Sequence, residues 1–223
     1  MEYTLLKDFS SISANDWNSL VEAGISDTPF LRHEILSQWW RTLGGGEWKE
    51  AELVLISASE NGNLIGIAPL FKAEYDGRAV LLLVGSIEVS DYLDLIVRPE
   101  DLSRFVGGLI DFIIRSETFA GLPFDWYNLI ESSPTLAALK AESEKRGWAY
   151  HEEIYRPTPR IALNGDFEAY LSSIEKKQRH EIRRKMRRAA ESDAQVHFYI
   201  LEDAAALDSE MDAFFQLMAQ DSN

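Results

Sequence analysis

The chain has 223 residues, with 22 Lys and Arg against 37 Asp and Glu, so its formal net charge is −15. A chain of this length can bury a sizeable core as one large or two small domains. Apolar residues make up 46% and charged residues 26%, proportions that exclude wholesale disorder. No run approaches the roughly 18 consecutive apolar residues that a membrane span requires.

The sequence has neither a secretory signal nor a pattern of metal ligands. The N-terminal sequence MEYTLLKDFSS has no basic region before an apolar core, so we predict no secretory signal. The absence of Cys removes disulfides, thiolate nucleophiles and Cys-ligated zinc. The four His residues show no ligand spacing, so we predict no metal site. Together these features predict a cytoplasmic protein.

Strands and helices alternate along the first part of the chain. A strand is predicted over 2–7, followed by a helix that starts near Ser13 and Asp16 and runs to Glu22. Thr28-Pro29 opens a second helix, with Leu36, Trp39, Trp40 and Leu43 on its apolar face and Gly44–Gly46 at its end. Asn61-Gly62 and Asp76-Gly77 are hairpin turns. They join three predicted strands: Glu52–Ala58, Leu64–Tyr75 and Ala79–Val84.

The remaining elements follow a loop at Gly85–Asp91. Tyr92–Val97 is predicted to be a further strand or the resumption of the previous one. We predict helices from Pro99 to about Arg115, from Ser133-Pro134 to Arg146, over Phe167–Glu191, and from about Ala204. Strands are predicted over 125–130, 148–155, 160–163 and 196–201. This order is typical of an α+β protein with a mixed central sheet flanked by helices.

One basic segment stands out in the acidic chain. Ser172–Glu191 contains eight bases and three acids, so its charge is +5 and that of the rest is 14 − 34 = −20. Surface helices normally mix charge signs, with acids four residues before bases. The excess indicates either contact with an anionic ligand or partner, through residues such as Lys176, Arg179, Arg183 and Arg184, or a charged face that is solvated or paired with acids elsewhere. Nucleic acid binding through Lys176–Arg188 is therefore open, although the acidic remainder disfavours it.

Two carboxylates and a set of aromatic residues are the other candidates. Asp91 and Asp94 flank Tyr92, so one of them could act as a general base or orient a ligand; alternatively, each accepts hydrogen bonds from backbone N–H groups in a turn. The aromatic residues either line a groove or pack in the core; they are Trp39, Trp40, Phe71, Trp126 and Tyr127. Trp39 and Tyr92 are the aromatic candidates for substrate binding.

Four landmarks, taken in order, resemble the CelD-like acyltransferases, which are relatives of the FemAB aminoacyltransferases in the GNAT superfamily. They are the sequence PFLRHE at Pro29–Glu34 with Trp39-Trp40 after it, GIAPL at Gly66–Leu70, DYLD at Asp91–Asp94, and KKQRHEIRRK at Lys176–Lys185. The resemblance implies a GNAT-like domain over 1–165. It also implies a basic connector with the first elements of a second, incomplete GNAT-like domain over 166–223.

The resemblance implies N-acyl transfer to an amine acceptor, such as a small molecule or a precursor of the cell envelope or of exopolysaccharide. Acyl-CoA is the donor expected for the full-length family, mainly through the second half. In this chain the residues Val97-Arg98-Pro99-Glu100-Asp101 stand where GNAT proteins have a glycine-rich pyrophosphate loop. Pro removes one N–H donor and two carboxylates repel phosphate, so we expect no acyl-CoA binding by this chain alone.

Two further possibilities stay open. The chain could be a binding module or fragment without catalysis that docks an anionic partner through its basic helix. The predicted helix at the end of the sequence carries an apolar stripe, Leu207, Met211, Phe214, Phe215 and Met218, which favours self-association into a homo-oligomer.

Overall fold

The structure is a computed structural model that describes residues 1–48, 50–87, 89–163, 165–192, 197 and 199–220. It divides into two compact units, Met1–Pro157 and Thr158–Asn223, each of which is described by itself. The first unit is an α+β domain whose sheet is flanked by helices, as the order of elements predicts.

Five strands form the sheet of the first unit. They are β1 (Glu2–Leu6), β2 (Glu52–Glu60), β3 (Asn63–Tyr75), β4 (Arg78–Leu83) and β5 (Ile96–Val97). All pair antiparallel, in the order β1-β2-β3-β4, with β5 also on β3. The two hairpins turn at Asn61-Gly62 and Asp76-Gly77, where all four residues have positive φ. Such turns match the twist of the strands, which is why both predicted hairpins form.

Helices cover both faces of the sheet. They are α1 (Ala14–Glu22), α2 (His33–Leu43), α3 (Leu102–Ile114) and α4 (Pro134–Arg146). Trp39 of α2 packs on Phe71 of β3, while the ring of Phe105 of α3 lies directly over Gly66 of the same strand. Phe71 and Gly66 are an odd number of residues apart, so they face opposite sides of the sheet. The core therefore lies in two layers, one on each side.

Local signals explain where the helices begin and end. The Ser13 hydroxyl caps α1 and the Ser133 hydroxyl caps α4, and both α2 and α4 end on a left-handed glycine. Pro29 forms only a short 3₁₀ turn, so α2 starts later than predicted. Pro99 likewise precedes a turn in which the Asp101 N–H bonds the Arg98 carbonyl, and α3 begins after it. Leu43 was expected on the buried face of α2, but it is half exposed.

Three of the predicted strands do not form in the described residues. In 125–130, Asn128 adopts a left-handed conformation that ends the extended run, and a single parallel bridge, Leu81 to Phe124, remains. Residues 148–155 and 160–163 pair with no strand among the described residues, and their apolar side chains gain little burial there, since Ile154 is 79% and Leu163 is 77% exposed. Of the predicted strand 196–201, residues 196 and 198 lie outside the described residues and the rest are not in a strand.

The second unit consists of helices in its described part. They are α5 (Phe167–Ser173), α6 (Lys176–Ala190) and α7 (Leu207–Gln220). The single long helix predicted over Phe167–Glu191 is wrong, since Ile174 and Glu175 are extended. The hydroxyls of Ser172 and Ser173 donate to main-chain carbonyls one turn back, which competes with helix continuation. The apolar residues of α7 are exposed, with Phe214 and Phe215 both more than half accessible.

Candidate functional site

A loop interrupts the strand that pairs with β3 on the side away from β2, at the end of the sheet. β4 pairs with residues 70–75 of β3, and β5 pairs with Gly66 and Ile67 on the same side, so β5 resumes the position that β4 leaves. This confirms the prediction that the chain resumes its previous strand, although only two of the six predicted residues are in it. The connection, residues 84–95, carries both candidate carboxylates.

The loop is hydrogen-bonded to the segment that follows α3. The Leu93 N–H donates to the Asn128 carbonyl at 2.9 Å, and the Asn128 side-chain amide donates to the Ile87 and Ser90 carbonyls at 2.9 and 2.6 Å. The same segment bonds to β4 in parallel, through the Leu81 N–H to the Pro123 carbonyl. These hydrogen bonds connect the described residues of the loop to the segment at Asn128, which is itself bonded to β4.

Asp94 is the buried carboxylate of the loop and is only 2% exposed. Its two oxygens accept three hydrogen bonds, from the Ser133 hydroxyl at 2.5 Å, the Thr135 hydroxyl at 2.6 Å and the Leu95 N–H at 2.8 Å. Ser133 also caps α4, so this contact joins the loop to the start of that helix.

Burial shifts the protonation equilibrium of Asp94. Desolvation raises the pKa of this carboxyl from its ordinary value, and the hydrogen bonds from Ser133 and Thr135 oppose the rise without cancelling it. Its oxygens are occupied and out of reach of solvent, so the geometry suits a residue that positions the loop rather than one that takes a proton from a substrate.

Asp91 and Tyr92 lie on the accessible side of the same loop. Asp91 is exposed, and Tyr92 is half-buried with its ring 6.1 Å from that of Phe30. The Thr28 hydroxyl donates to the Tyr92 carbonyl, so the connection between α1 and α2 borders the loop here. Asp91 is the carboxylate of the pair that a ligand could reach.

Trp39 occupies the core. It is 5% exposed, and its ring lies 6.0 Å from Phe71 and 6.5 Å from Trp40. A Cβ added at Gly46 would lie 3.0 Å from the Trp39 ring and 3.6 Å from the Ser86 carbonyl. Trp39 therefore packs against the segment after α2 at Gly46, and the same segment lies close to the Ser86 carbonyl of the loop.

Several residues of this site are missed by sequence reasoning. Asn128 was part of a predicted strand, and the capping residues Ser133 and Thr135 indicate a helix start but not a partner in another element. Ser86 and Ser90 are buried with hydroxyls that have no partner among the described residues. No local sequence signal distinguishes these serines from ordinary loop residues.

The start of α3 offers no cradle for a pyrophosphate. Asp101 stands at the N-cap, where its carboxylate pairs with Arg104 at 2.8 Å, and Arg104 also pairs with Glu60. Residues 97–101 contain no glycine. A phosphate approaching the first N–H groups would therefore meet Asp101 and Glu100.

The basic candidates lie on α6, in the second unit. Arg183 pairs with Glu168 of α5, Arg184 pairs with Glu181, and the Arg179 guanidinium donates to the Ser172 carbonyl. A shallow surface depression is bordered by Lys176, Lys177, His180, Glu181 and Arg184. Part of the basic charge is thus paired with acids of the same unit, and the remainder faces solvent.

The described part of the chain has neither a metal-ligand cluster nor a membrane-spanning helix. Among those residues no group of three or more His, Asp or Glu side chains is arranged to hold a metal ion. No helix there has the length and apolar character needed to cross a membrane.

Comparisons with known proteins add one similarity. No protein-family model matches the chain, and no curated protein matches it. Among solved structures, an apo crystal structure of the aminoglycoside antibiotic 6'-N-acetyltransferase from Acinetobacter haemolyticus matches with 17% sequence identity and a TM-score of 0.39. The match covers 73% of this chain and 100% of that one. A similarity of this size assigns neither a family nor an activity.

Proposed function

We propose that the chain serves N-acyl transfer to an amine and that its first unit forms the acceptor side of the site. The observation that carries the proposal is the hydrogen-bonded loop 84–95, which places an exposed carboxylate, Asp91, next to the half-buried Tyr92 at the end of the sheet away from β1. An exposed carboxylate on a loop that is hydrogen-bonded to its neighbour suits the deprotonation of an incoming ammonium group.

The reaction needs a free amine and an activated acyl group. The Asp91 carboxylate takes a proton from the acceptor ammonium, and the amine nitrogen attacks the carbonyl carbon of a thioester. The new N–C bond forms as the C–S bond breaks and the thiolate leaves. The protonated Asp91 gives its proton to the thiolate, and the second proton on nitrogen passes to water, so that a thiol and an amide are formed. Asp94 touches none of these atoms and instead fixes the loop through Ser133 and Thr135.

The start of α3 is the place where a phosphate-bearing acyl donor would be expected to bind in a GNAT-like domain. Acyl-CoA is the donor that the sequence resemblance implies, but Asp101 at the start of α3 disfavours a phosphate there. We therefore expect acetyl-CoA to bind this chain with a dissociation constant above about 10 μM, weaker than roughly −7 kcal/mol. Isothermal titration calorimetry measures this directly, and a tighter constant would contradict the expectation.

The landmarks PFLRHE, GIAPL, DYLD and KKQRHEIRRK support a more specific assignment. On that basis the chain is a CelD-like, FemAB-related member of the GNAT superfamily whose acceptor is a small amine or an amine-bearing precursor of the cell envelope or exopolysaccharide. Its first GNAT-like domain spans 1–165, and 166–223 form a basic connector and the beginning of a second domain.

Product formation tests the proposal. The chain is incubated with acetyl-CoA at about 5 mM, far above the expected weak binding, and with a panel of primary amines. Mass spectrometry should detect an N-acetylated amine and one free thiol for each product molecule. The absence of product for every amine, with the thermally unfolded chain as the background control, would overturn the proposal.

A second candidate function has its own observation, the basic surface of α6 with Lys176, Lys177, His180 and Arg184 around one depression. In this alternative the chain is a binding module for an anionic partner, including nucleic acid. Binding of a phosphate polymer should then weaken linearly in log[salt], because it releases condensed counterions. Loss of that binding when Arg183, Arg184 and Arg187 are replaced by Glu would support it.

A further inference from the structure

Helix α7 in the second unit presents an exposed apolar face. Leu207, Met211, Phe214 and Phe215 recur at intervals of three or four residues, which places them on one side of the helix. Leu207 and Met211 are 48% and 38% exposed, and both Phe side chains are more than half exposed. Contiguous apolar surface of this kind marks an interaction site on a folded protein.

Acidic side chains border this face. Asp208, Glu210 and Asp212 are the charged residues of α7, and all three are exposed. Asp208 and Asp212 lie four residues apart along one border, while Glu210 lies along the other and accepts a hydrogen bond from the Tyr199 hydroxyl at 2.8 Å. Neither Asp208 nor Asp212 forms an ion pair within the described part of the chain. The surface that matches α7 therefore combines apolar side chains with bases at their border.

Helix α6 carries this complementary pattern. Ile182 and Met186 lie four residues apart on one side, where Ile182 is half-buried and Met186 is half exposed. Arg183 and Arg187 follow them by one residue each and border the same side. Arg187 forms no ion pair with a described residue, and Arg183 pairs with Glu168 of α5. The helix contains eight bases and one acid, so its charge is opposite to that of α7.

The chain's own α6 does not cover α7, although both helices belong to the second unit. Met186 of α6 and Phe214 of α7 are both 51% exposed. The surface that matches α7 is therefore α6 of another molecule of the same sequence. We infer that two copies of this chain associate reciprocally, with α7 of each copy packed on α6 of the other. Such a dimer has two-fold symmetry and contains two equivalent helix pairs.

An antiparallel packing of the two helices suits their charges. In that orientation the positive end of each helix dipole lies beside the negative end of the other. Corresponding borders of the two helices then meet, so Asp208 and Asp212 of one copy face Arg187 and Arg183 of the other. The reciprocal pairing accounts for the excess of bases in α6 without an anionic ligand.

Sedimentation equilibrium of the full chain tests the association. The mean mass should rise from that of one chain to that of two between about 1 and about 200 μM, with a dissociation constant of about 1–10 μM. Phe214→Ser with Phe215→Ser should weaken association at least about tenfold. Ile154→Ser with Ile161→Ser is the matched control, since these side chains are 79% and 67% exposed and lie outside both helices. This control should change the dissociation constant less than about twofold.

Charge reversal identifies the partner surface. Asp208→Lys with Asp212→Lys places bases against the bases of α6, and Arg183→Glu with Arg187→Glu places acids against the acids of α7. Each variant alone should associate at least about tenfold more weakly than the wild type. An equimolar mixture should recover association to within about threefold of the wild type, because one helix pair then has the original charges and the other has both charges exchanged. Circular dichroism should show that each variant keeps the helix content of the wild type.

A matched pair of substitutions controls for net charge. Glu117→Lys with Glu144→Lys replaces two exposed acids of the first unit and should change association less than about twofold. The mass of a single chain at every concentration would overturn the inference, and so would a dimer that survives both charge reversals. A mixture of the two charge-reversed variants that stays monomeric would also overturn it, because misfolding of α6 or α7 causes loss of association without recovery.

Discussion

The contact of Asp94 with the start of α4 leads to a quantitative prediction about the loop. Asp94→Ala removes the acceptor of three donors: the Ser133 hydroxyl, the Thr135 hydroxyl and the Leu95 N–H. Thr135 and Leu95 are fully buried, so their donors have no water to replace the carboxylate. Ser133 is half-buried and still caps the helix, so its loss is smaller.

The magnitude follows from these differences. A buried donor left without a partner costs about 1–3 kcal/mol, so two of them amount to about 2–6 kcal/mol. Removing a buried carboxyl also removes its desolvation cost, which offsets part of that loss. We expect Asp94→Ala to lower the free energy of unfolding by about 2–4 kcal/mol, a large part of the ~5–15 kcal/mol typical of a domain. Asp94→Asn keeps the shape and one acceptor, and should cost about half as much.

Urea unfolding followed by circular dichroism measures these differences. Asp91→Ala is the matched control because Asp91 lies three residues away on the same loop and is exposed, so its effect should stay within about 0.5 kcal/mol. Amide exchange should also become faster across 85–95 in Asp94→Ala. Equal stability of Asp94→Ala and the wild type would refute the assignment of Asp94 as the residue that fixes the loop.

Three other predictions concern pH, packing and charge. Because burial raises the pKa of Asp94 above 3.8, its contribution to stability is greatest below that pH and is lost as pH rises through the raised value. The stability of the wild type minus that of Asp94→Asn should therefore fall as the pH rises above about 4 in urea titrations, and a rise in this difference would contradict the prediction. Gly108→Ala should lower the free energy of unfolding by about 1–3 kcal/mol, because the added Cβ would lie 2.4 Å from the Tyr3 hydroxyl. Gly107→Ala is the matched control: its Cβ would have no contact closer than 3.6 Å, so the change should be neutral or stabilising. Equal effects of the two variants would refute this prediction. Replacing Arg183, Arg184 and Arg187 with Glu should change Tm by only a few degrees, since the pairs that it breaks are exposed, and a large drop in calorimetry would contradict that.

The meander and the helices of the first unit could be predicted from the sequence because their signals are local. Asn61-Gly62 and Asp76-Gly77 define the hairpins, and Ser13, Ser133 and Gly147 define helix ends. Strands that form only where a neighbouring strand is available to pair with them were predicted poorly. Residues 148–155 have strand-like composition but no sheet edge beside them, and nothing local reveals that absence.

In the candidate site, too, the features with local signals could be predicted and those that depend on distant residues could not. The residues Asp91–Asp94 could be selected from sequence as a polar interruption in an apolar stretch. Which carboxylate is buried depends on Ser133, Thr135 and Asn128, which are about 35 to 40 residues away in the chain and meet the loop only in three dimensions.

The central claim is that the loop 84–95, rather than the basic helix α6, carries the chemistry. The most direct test compares the rate of N-acylated product formation, measured by mass spectrometry, in three proteins. They are the wild type, Asp91→Asn, and the variant with Glu at 183, 184 and 187. Loss of a general base typically costs about 10²–10⁴ in rate, so we predict a fall of at least about 100-fold for Asp91→Asn and a rate within about threefold of wild type for the helix variant. An unchanged rate in Asp91→Asn together with loss of activity in the helix variant would contradict the account.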